Sequence, residues 1–309
     1  MDILMAVGTP HASRWMQAVQ CVLPEAHVRA WRQGDDEPAD YALVWKCDAA
    51  ALKPRAGLKA VFNLGAGVDA LLAMLPGVLV EAPIYRLEDA GMAQQMADYA
   101  RYGVLHHMRR FEAYRQQAAR GEWKALDAMH RRDMPIGVMG LGSLGEHVAR
   151  TLAADGFIVR GYSRSTKTID GIQTFGSPDG LDAFLEGLHV LVNLLPATAD
   201  THGLINARTL ARLADNACVI NLARGMHVHE ADLLDALDSG KLAFAMLDVF
   251  THEPLDAAHP FWRHPRVMVT PHISAVTLID DSARQVADKI AAIEAGRAVT
   301  GRVDPSRGY

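Results

Sequence analysis

Residues 134–164 read MPIGVMGLGSLGEHVARTLAADGFIVRGYSR, and this stretch decides what kind of fold the chain adopts. Ile136, Val138 and Met139 make a short apolar run of the kind that forms a buried strand, and the run stops at Gly140-Leu141-Gly142-Ser143-Leu144-Gly145. Beyond it Leu144, Val148 and Leu152 recur at helical spacing. The pattern predicts strand, glycine turn, helix. Gly140 permits the tight turn, Gly142 lets a pyrophosphate approach the backbone, and Gly145 lets the new helix pack closely on the strand. Free amides at the helix start, at the positive end of its dipole, would hold the phosphates. The glycine spacing alone is a weak signal. With a strand before it and an amphipathic helix after it, a dinucleotide site is a better reading than a plain turn.

A second strand, Phe157 to Tyr162, follows the helix, and its end is where the adenosine ribose would be read. An NAD site usually places Asp or Glu there to bind the 2′-hydroxyl. This chain has Ser163-Arg164-Ser165, with Lys167 just beyond. A carboxylate would repel a 2′-phosphate, whereas a guanidinium and hydroxyls would bind one through charge-assisted hydrogen bonds. NADPH is therefore expected in preference to NADH, whose use stays open. The alternative is that Arg164 and Lys167 are solvated loop charges.

Working outward, 309 residues allow about two domains, each with its own core. Half the residues are hydrophobic and the formal net charge is −5, so no basic surplus suggests nucleic acid. The opening MDILMAVGTP has no positive n-region and reads as a first strand, not a signal peptide. No apolar stretch approaches the ~20 residues of a membrane span. Cys21, Cys47 and Cys218 are odd in number and far apart, which argues against a disulfide framework or a zinc cluster and for a reducing cytoplasm.

Before the glycine stretch, apolar runs at Ile3–Val7, Val28–Trp31, Tyr41–Trp45, Leu58–Phe62 and Val78–Val80 alternate with helical or turn segments, as in a small α/β unit. Trp45-Lys46 and Asn63-Leu-Gly65-Ala66-Gly67-Val-Asp69 each follow such a run. The glycine-rich loop either offers amides to a small anion or only makes a turn. Gly91 to Arg120 has no proline and many strong helix formers, which predicts one long helix leading toward the dinucleotide unit. After Tyr162, further apolar runs at 189–195, 217–223, 242–249 and 266–270 show little alternation, as central strands of a covered parallel sheet do. Ser177-Pro178-Asp179 reads as the capped opening of one helix, and Glu230 to Leu237 as another ending at Gly240. A last helix, Val276 to Gly296, carries Val286, Ile290 and Ile293 on one stripe and is expected to pack back onto the first domain.

In open α/β sheets ligands sit outside the carboxyl ends of the strands. Three ionisable groups follow successive predicted strands there: Arg224, Glu253 and His272. Each has a structural reading as cap, loop carboxylate or turn residue; their joint occurrence points to hydride transfer to a 2-oxo acid. A guanidinium can bind carboxylate oxygens bidentately and polarise the neighbouring carbonyl, which suits Arg224. Negative charge develops on that carbonyl oxygen as it is reduced, and His272 would donate its proton as general acid. Glu253 beside it would favour the charged imidazolium and orient the ring.

Together these motifs resemble the D-isomer-specific 2-hydroxyacid dehydrogenase family, most closely its glyoxylate/hydroxypyruvate reductase branch. The resemblance runs through Asn63–Asp69, Gly140–Gly145, Asn221-Leu-Ala-Arg-Gly225, Asp248-Val-Phe-Thr-His-Glu-Pro254, Pro271-His-Ile273 and Val303–Tyr309. It implies that the family's Arg, Glu and His fall on Arg224, Glu253 and His272, and its carboxylate-binding amides on Ala66-Gly67. Further cofactor contacts would fall on Leu195, Pro196, Ala223 and Asp248, with Trp45 narrowing the substrate pocket. It also implies a discontinuous, smaller substrate domain (1–98 plus 277–309), a dinucleotide-binding domain (99–276), both Rossmann-like, and a homodimer joined through the latter. Ser163-Arg164 replaces the acidic residue of the commoner NAD form. The expected activity is NADPH-dependent reduction of glyoxylate to glycolate and hydroxypyruvate to D-glycerate. The rivals are a dehydrogenase of another acid on this scaffold and a non-catalytic nucleotide-sensing protein.

Overall fold

The computed structural model describes residues 1–8, 12–76, 81–176 and 179–308. It divides into two compact units, Met1–Met92 with Thr277–Tyr309, and Ala93–Val276. Each is a parallel sheet flanked by helices, so the chain is α/β with two Rossmann-like, doubly wound units, the first smaller and discontinuous.

In the first unit the strands are β1 (Asp2–Val7), β2 (His27–Ala30), β3 (Tyr41–Trp45), β4 (Ala60–Asn63) and β5 (Ile84–Arg86). They lie in the order β2-β1-β3-β4-β5, all parallel. β1 and β3 pair as Ile3 opposite Tyr41 through Val7 opposite Trp45, and their apolar interiors are buried. The helices are α1 (Ala12–Val22), α2 (Asp69–Met74) and, from the far end of the chain, α9 (Ile279–Glu294). α1 buries Trp15, Ala18 and Val19, and α9 buries Ala283, Val286 and Ile290, each set at helical spacing. The two helices lie against each other. Polar ties join α9 to the sheet and to the segment after β5: the Tyr41 hydroxyl donates to Glu294 Oε1 (2.6 Å), and Lys289 Nζ to Glu88 Oε2 (3.1 Å). The predicted run Val78–Val80 lies outside the described residues. β5 was not foreseen: three residues give no periodicity, and its pairing with β4 (Val61 opposite Ile84) is a long-range event.

The second unit contains α3 (Met92–Met108), α4 (Phe111–Ala119), β6 (Ile136–Met139), α5 (Ser143–Ala154), β7 (Val159–Ser163), β8 (Gln173–Gly176), α6 (Leu181–Leu185), β9 (Val190–Asn193), α7 (Ala207–Ala211), β10 (Ala217–Asn221), α8 (Glu230–Asp238), β11 (Leu242–Leu247) and β12 (Val267–Val269). Its strand order is β12-β11-β10-β9-β6-β7-β8, all parallel. The near-continuous hydrophobicity of the central strands has a direct cause. Leu191, Val219, Ala245 and Leu247 feed one core, while Val192, Ile220, Phe244 and Met246 feed the other. Burying each large side chain of this kind contributes about 1.5–3 kcal/mol.

The single long helix expected between Gly91 and Arg120 is instead two. The break falls at Arg110, whose backbone is left-handed (φ 53°) and whose N–H turns back to the His107 carbonyl (2.9 Å). Beyond the break α4 buries Glu112 and Gln117, and Arg115 Nη2 donates to the distant Pro265 carbonyl (3.0 Å), so tertiary packing overrides unbroken helix propensity. β8 and α7 were also unforeseen. β8 is a partly exposed edge strand without an apolar run, and α7 is one short turn fixed by reciprocal capping between Asn206 and Thr209. The expected cap at Ser177-Pro178 lies outside the described residues. Among those residues no helix is long and apolar enough to cross a membrane.

Candidate active site

The order of strands in the second unit reverses between β6 and β9, and the glycine turn stands at the carboxyl end of β6 at that reversal. Its three glycines do different things. Gly140 has φ 95°, and a Cβ there would lie 2.4 Å from the Leu194 carbonyl oxygen. A Cβ at Gly145 would lie 1.8 Å from the Gly140 carbonyl oxygen, so α5 touches the turn backbone to backbone. A Cβ at Gly142 meets no atom within 4 Å. Space is thus kept open in front of the start of α5, where the first helical bond runs from Glu146 N to Gly142 O (2.9 Å) and the amides of Ser143, Leu144 and Gly145 precede the ladder. The cradle fits a dinucleotide pyrophosphate. The Leu141 side chain does not face this space: it is buried, and a Cβ at Gly161 would meet it at 2.7 Å.

At the end of β7 the buried Ser163 hydroxyl donates to the Ser165 carbonyl (2.7 Å) and shapes the turn that presents exposed Arg164 and Ser165. Lys167 Nζ donates to the Leu141 carbonyl and stands 3.9 Å from Glu146 Oε2, so this cation is bound to the glycine turn and is not merely solvated. Residues 163–167 carry two cations and hydroxyls but no carboxylate, which suits a 2′-phosphate even with Glu146 near Lys167.

Three further strand ends carry the ionisable set. Glu253 accepts the Phe250 N–H at Oε1 (3.0 Å) and meets His272 Nδ1 with Oε2 (2.8 Å). Because a carboxylate only accepts, Nδ1 carries a proton whether the ring is neutral or an imidazolium, and Nε2, which bears a proton only in the imidazolium, is the nitrogen left to face a ligand. His272 sits in left-handed backbone (φ 56°), held by its own N–H to the Asp248 carbonyl (2.8 Å). Arg224 enters from the loop after β10, and its Nη1 donates to the Ala223 carbonyl (2.6 Å). That loop abuts the one carrying Glu253, since a Cβ at Gly225 would fall 1.8 Å from the Phe250 carbonyl carbon. Glu253 and His272 are therefore in direct contact, with Arg224 on the adjoining loop.

Asp248 is fully buried, and its carboxylate takes three donors from the segment leading to and past His272: Thr270 Oγ1 (2.6 Å), Ile273 N (2.8 Å) and Ser274 N (2.7 Å). Tyr99 OH bonds Thr270 Oγ1 in turn, and burial pushes its phenol well above the usual range. The carboxylate expected as a cofactor contact moulds the histidine loop.

In the first unit, Asn63 Nδ2 donates to the carbonyls of Gly65 (3.0 Å) and Gly67 (2.9 Å), and Arg86 Nη1 reaches the Ala66 carbonyl at 3.4 Å. In a trans peptide the next N–H points away from the preceding C=O, so the amides of Ala66 and Val68 turn away from Asn63 and that of Gly67 turns away from Arg86. Trp45 lies on Gly65 so closely that a Cβ there would be 2.2 Å from its ring.

Residues 102–274 match the family model described as the NAD binding domain of D-isomer specific 2-hydroxyacid dehydrogenases. A glyoxylate/hydroxypyruvate reductase A of Serratia proteamaculans is 50% identical, with both chains covered completely. The chain belongs to the D-isomer specific 2-hydroxyacid dehydrogenase family. Another 2-hydroxyacid dehydrogenase, from Xanthobacter autotrophicus and solved in complex with NADPH and MES, superposes with a TM-score of 0.93 at 40% identity, covering 100% of this chain and 99% of that one. An NADPH-dependent glyoxylate/hydroxypyruvate reductase of Sinorhizobium meliloti, solved with NADP and sulfate, gives 0.91 at 37% identity with the same coverage.

In this 2-hydroxyacid dehydrogenase, sequence reasoning missed several polar side chains beneath the site. Asn63, Asn193 and Asn221 each end a buried strand, and His227 follows the arginine loop; all four are buried. An asparagine closing an otherwise apolar run was the available signal, because a buried amide demands partners.

Proposed function

We propose that the protein is an NADPH-dependent reductase of small 2-oxo acids, taking glyoxylate to glycolate and hydroxypyruvate to D-glycerate. The observation that carries this reading is the His272–Glu253 pair beside the Arg224 loop, on the same strand-end edge as the glycine cradle. The NADPH- and NADP-bound relatives and the 50% identical reductase support the nucleotide and the substrate class.

Gly140, Gly142 and Gly145 with the amides of Ser143 and Leu144 would hold the pyrophosphate, and Ser163, Arg164, Ser165 and Lys167 the 2′-phosphate. When bound, NADPH supplies the hydride for the substrate's C2. Arg224 binds the oxo acid's carboxylate and polarises its carbonyl. His272 donates the Nε2 proton to the carbonyl oxygen as negative charge develops there, and Glu253, fixed by the Phe250 amide, stabilises the imidazolium and holds the ring. In the first unit the amides of Ala66 and Gly67 suit a carboxylate, and Trp45 suits short substrates. The units Met1–Met92 with Thr277–Tyr309 and Ala93–Val276 are read as the substrate and dinucleotide domains respectively. A homodimer formed through the second unit is supported by its exposed Tyr102, Phe111 and Trp123, and sedimentation measures it. A reducing cytoplasm is consistent with three free cysteines.

The test is loss of NADPH absorbance with glyoxylate, hydroxypyruvate, pyruvate and phenylpyruvate in turn. Fast oxidation with the first two supports the proposal. No oxidation with any of the four, or a preference for the bulky acid, overturns it.

A further inference from the structure

A buried polar chain runs beneath the glycine cradle and the arginine loop. Asn193, Asn221 and His227 are each 0% exposed. Asn193 Oδ1 accepts the Leu195 N–H (3.2 Å), and Asn193 Nδ2 donates to Asn221 Oδ1 (2.9 Å) and meets His227 Nδ1 (2.9 Å). An amide nitrogen only donates, so His227 Nδ1 accepts and the ring proton lies on Nε2, which stands 3.1 Å from the Pro196 carbonyl. Asn221 takes the Ala223 N–H (3.2 Å) and donates to the Arg224 carbonyl (3.0 Å). Each bond in the chain then has one donor and one acceptor.

The segment gripped by His227 is a wall of the cradle. Leu194 N–H donates to the Met139 carbonyl (2.7 Å) at the end of β6, and a Cβ at Gly140 would come 2.8 Å from Leu195 N. Proline has no N–H with which to anchor its own turn, so Pro196 is held by its carbonyl, from His227 Nε2 and from Thr201 Oγ1 (2.8 Å). A fully buried imidazole with both nitrogens engaged is a costly way to fill a core and a good way to set a distance.

We propose that His227 is a positioning residue for the dinucleotide, fixing the Leu194–Pro196 wall of the cradle and coupling it through Asn193 and Asn221 to the backbone of Arg224. This rests on the cradle being the NADPH site.

Two variants separate positioning from bulk packing. The terminal amide of glutamine reaches about as far as Nε2 and that of asparagine about as far as Nδ1, so His227→Gln keeps the bond to Pro196 and His227→Asn keeps only the one to Asn193. The NADPH dissociation constant is read from nucleotide fluorescence on the full-length protein, with the melting temperature alongside. The Asn variant should bind NADPH about three- to tenfold more weakly. The Gln variant should stay close to wild type, although both lower the melting temperature. Thr201→Val, at a partly exposed position, removes the second donor to the Pro196 carbonyl, should weaken NADPH in the same direction, and serves if the Asn variant does not fold. Unaltered affinity in His227→Asn or in Thr201→Val, or equal losses in the Gln and Asn variants, overturns the proposal. The binding constant is independent of turnover, so a protein that binds NADPH yet reduces no oxo acid refutes the reductase reading and leaves this one standing.

Discussion

Gly142 and Gly145 look equivalent in sequence, but the structure gives them opposite consequences on substitution. Gly142 caps α5 with φ −70°, a backbone any residue adopts, and its missing Cβ would project into space that no protein atom fills within 4 Å. Gly142→Ala should therefore cost at most about 1 kcal/mol of stability, the size of a changed N-cap. The methyl would, however, stand where the pyrophosphate must approach. Displacing a phosphate from even one charge-assisted amide bond forfeits about 1.5–3 kcal/mol, which is roughly a 10- to 100-fold loss of NADPH affinity. At Gly145 the added Cβ would lie 1.8 Å from the Gly140 carbonyl oxygen, and both partners are backbone. More than an ångström of separation between α5 and the turn is needed, so Gly145→Ala should exceed the usual 1–3 kcal/mol of overpacking. Urea denaturation and NADPH fluorescence titration on the same two proteins read both quantities. A Gly142→Ala protein that is as stable as wild type and binds NADPH equally well would refute the reasoning, because the open space would then not be the phosphate site. Equal destabilisation by both variants would refute the distinction between them.

Replacing His272 by Gln should lower turnover by about 10²- to 10⁴-fold while leaving NADPH affinity within about twofold, which stopped-flow reduction and equilibrium titration separate. Arg164→Ala should cut kcat/KM with NADPH by about tenfold or more and leave NADH nearly untouched; parallel losses with both nucleotides would place Arg164 away from the 2′-phosphate. Burial holds His107 neutral, with its pKa lowered to about 4 from an ordinary 6.5. Above pH 6.5 neither folded nor unfolded chain is protonated there and the group contributes nothing to the pH dependence. As pH falls from 6.5 toward 4 only the unfolded chain takes up the proton, so about 3 kcal/mol of stability is lost across that window. Because His107 Nε2 is buried with no hydrogen-bond partner among the described residues, His107→Leu should flatten the acid limb of a stability profile without a large loss at neutral pH. An unchanged profile would assign the acid limb to other groups.

What could be read from the sequence, and what could not, follows from the range over which each interaction acts. The β6–α5 unit was legible because its causes are local: an apolar run, three glycines with distinct steric duties, and a helical stripe, all within about twenty residues. The positions of Arg224, Glu253 and His272 were legible through the rule that ligands gather at strand carboxyl ends, and the 2.8 Å contact between His272 and Glu253 spans nineteen residues of chain. The break at Arg110 was not legible, since α4 is seated by buried Glu112 and Gln117 and by Arg115 on the Pro265 carbonyl, 150 residues away in sequence, while helix propensity favours continuation. β5 and β8 escaped for the opposite reason: they are short edge strands whose existence depends on a partner already in place.

The polar floor of the site marks a deeper limit. An asparagine at the end of an apolar run announces that a buried amide must be satisfied, but not by which atoms. Asn63 spends its amide turning the Gly65 and Gly67 carbonyls inward, which leaves the N–H groups of Ala66 and Val68 facing away from it. Asn193 and Asn221 spend theirs on each other and on the arginine and proline loops. Asp248 does the same with a charge, taking three donors from residues 270–274 and so holding His272 in a left-handed backbone that an imidazole seldom adopts. In each case one buried polar group fixes the loop that carries the chemistry. The side chains proposed to face the ligand can thus be read from their strand-end positions, whereas those that aim them become visible only once the strands lie side by side.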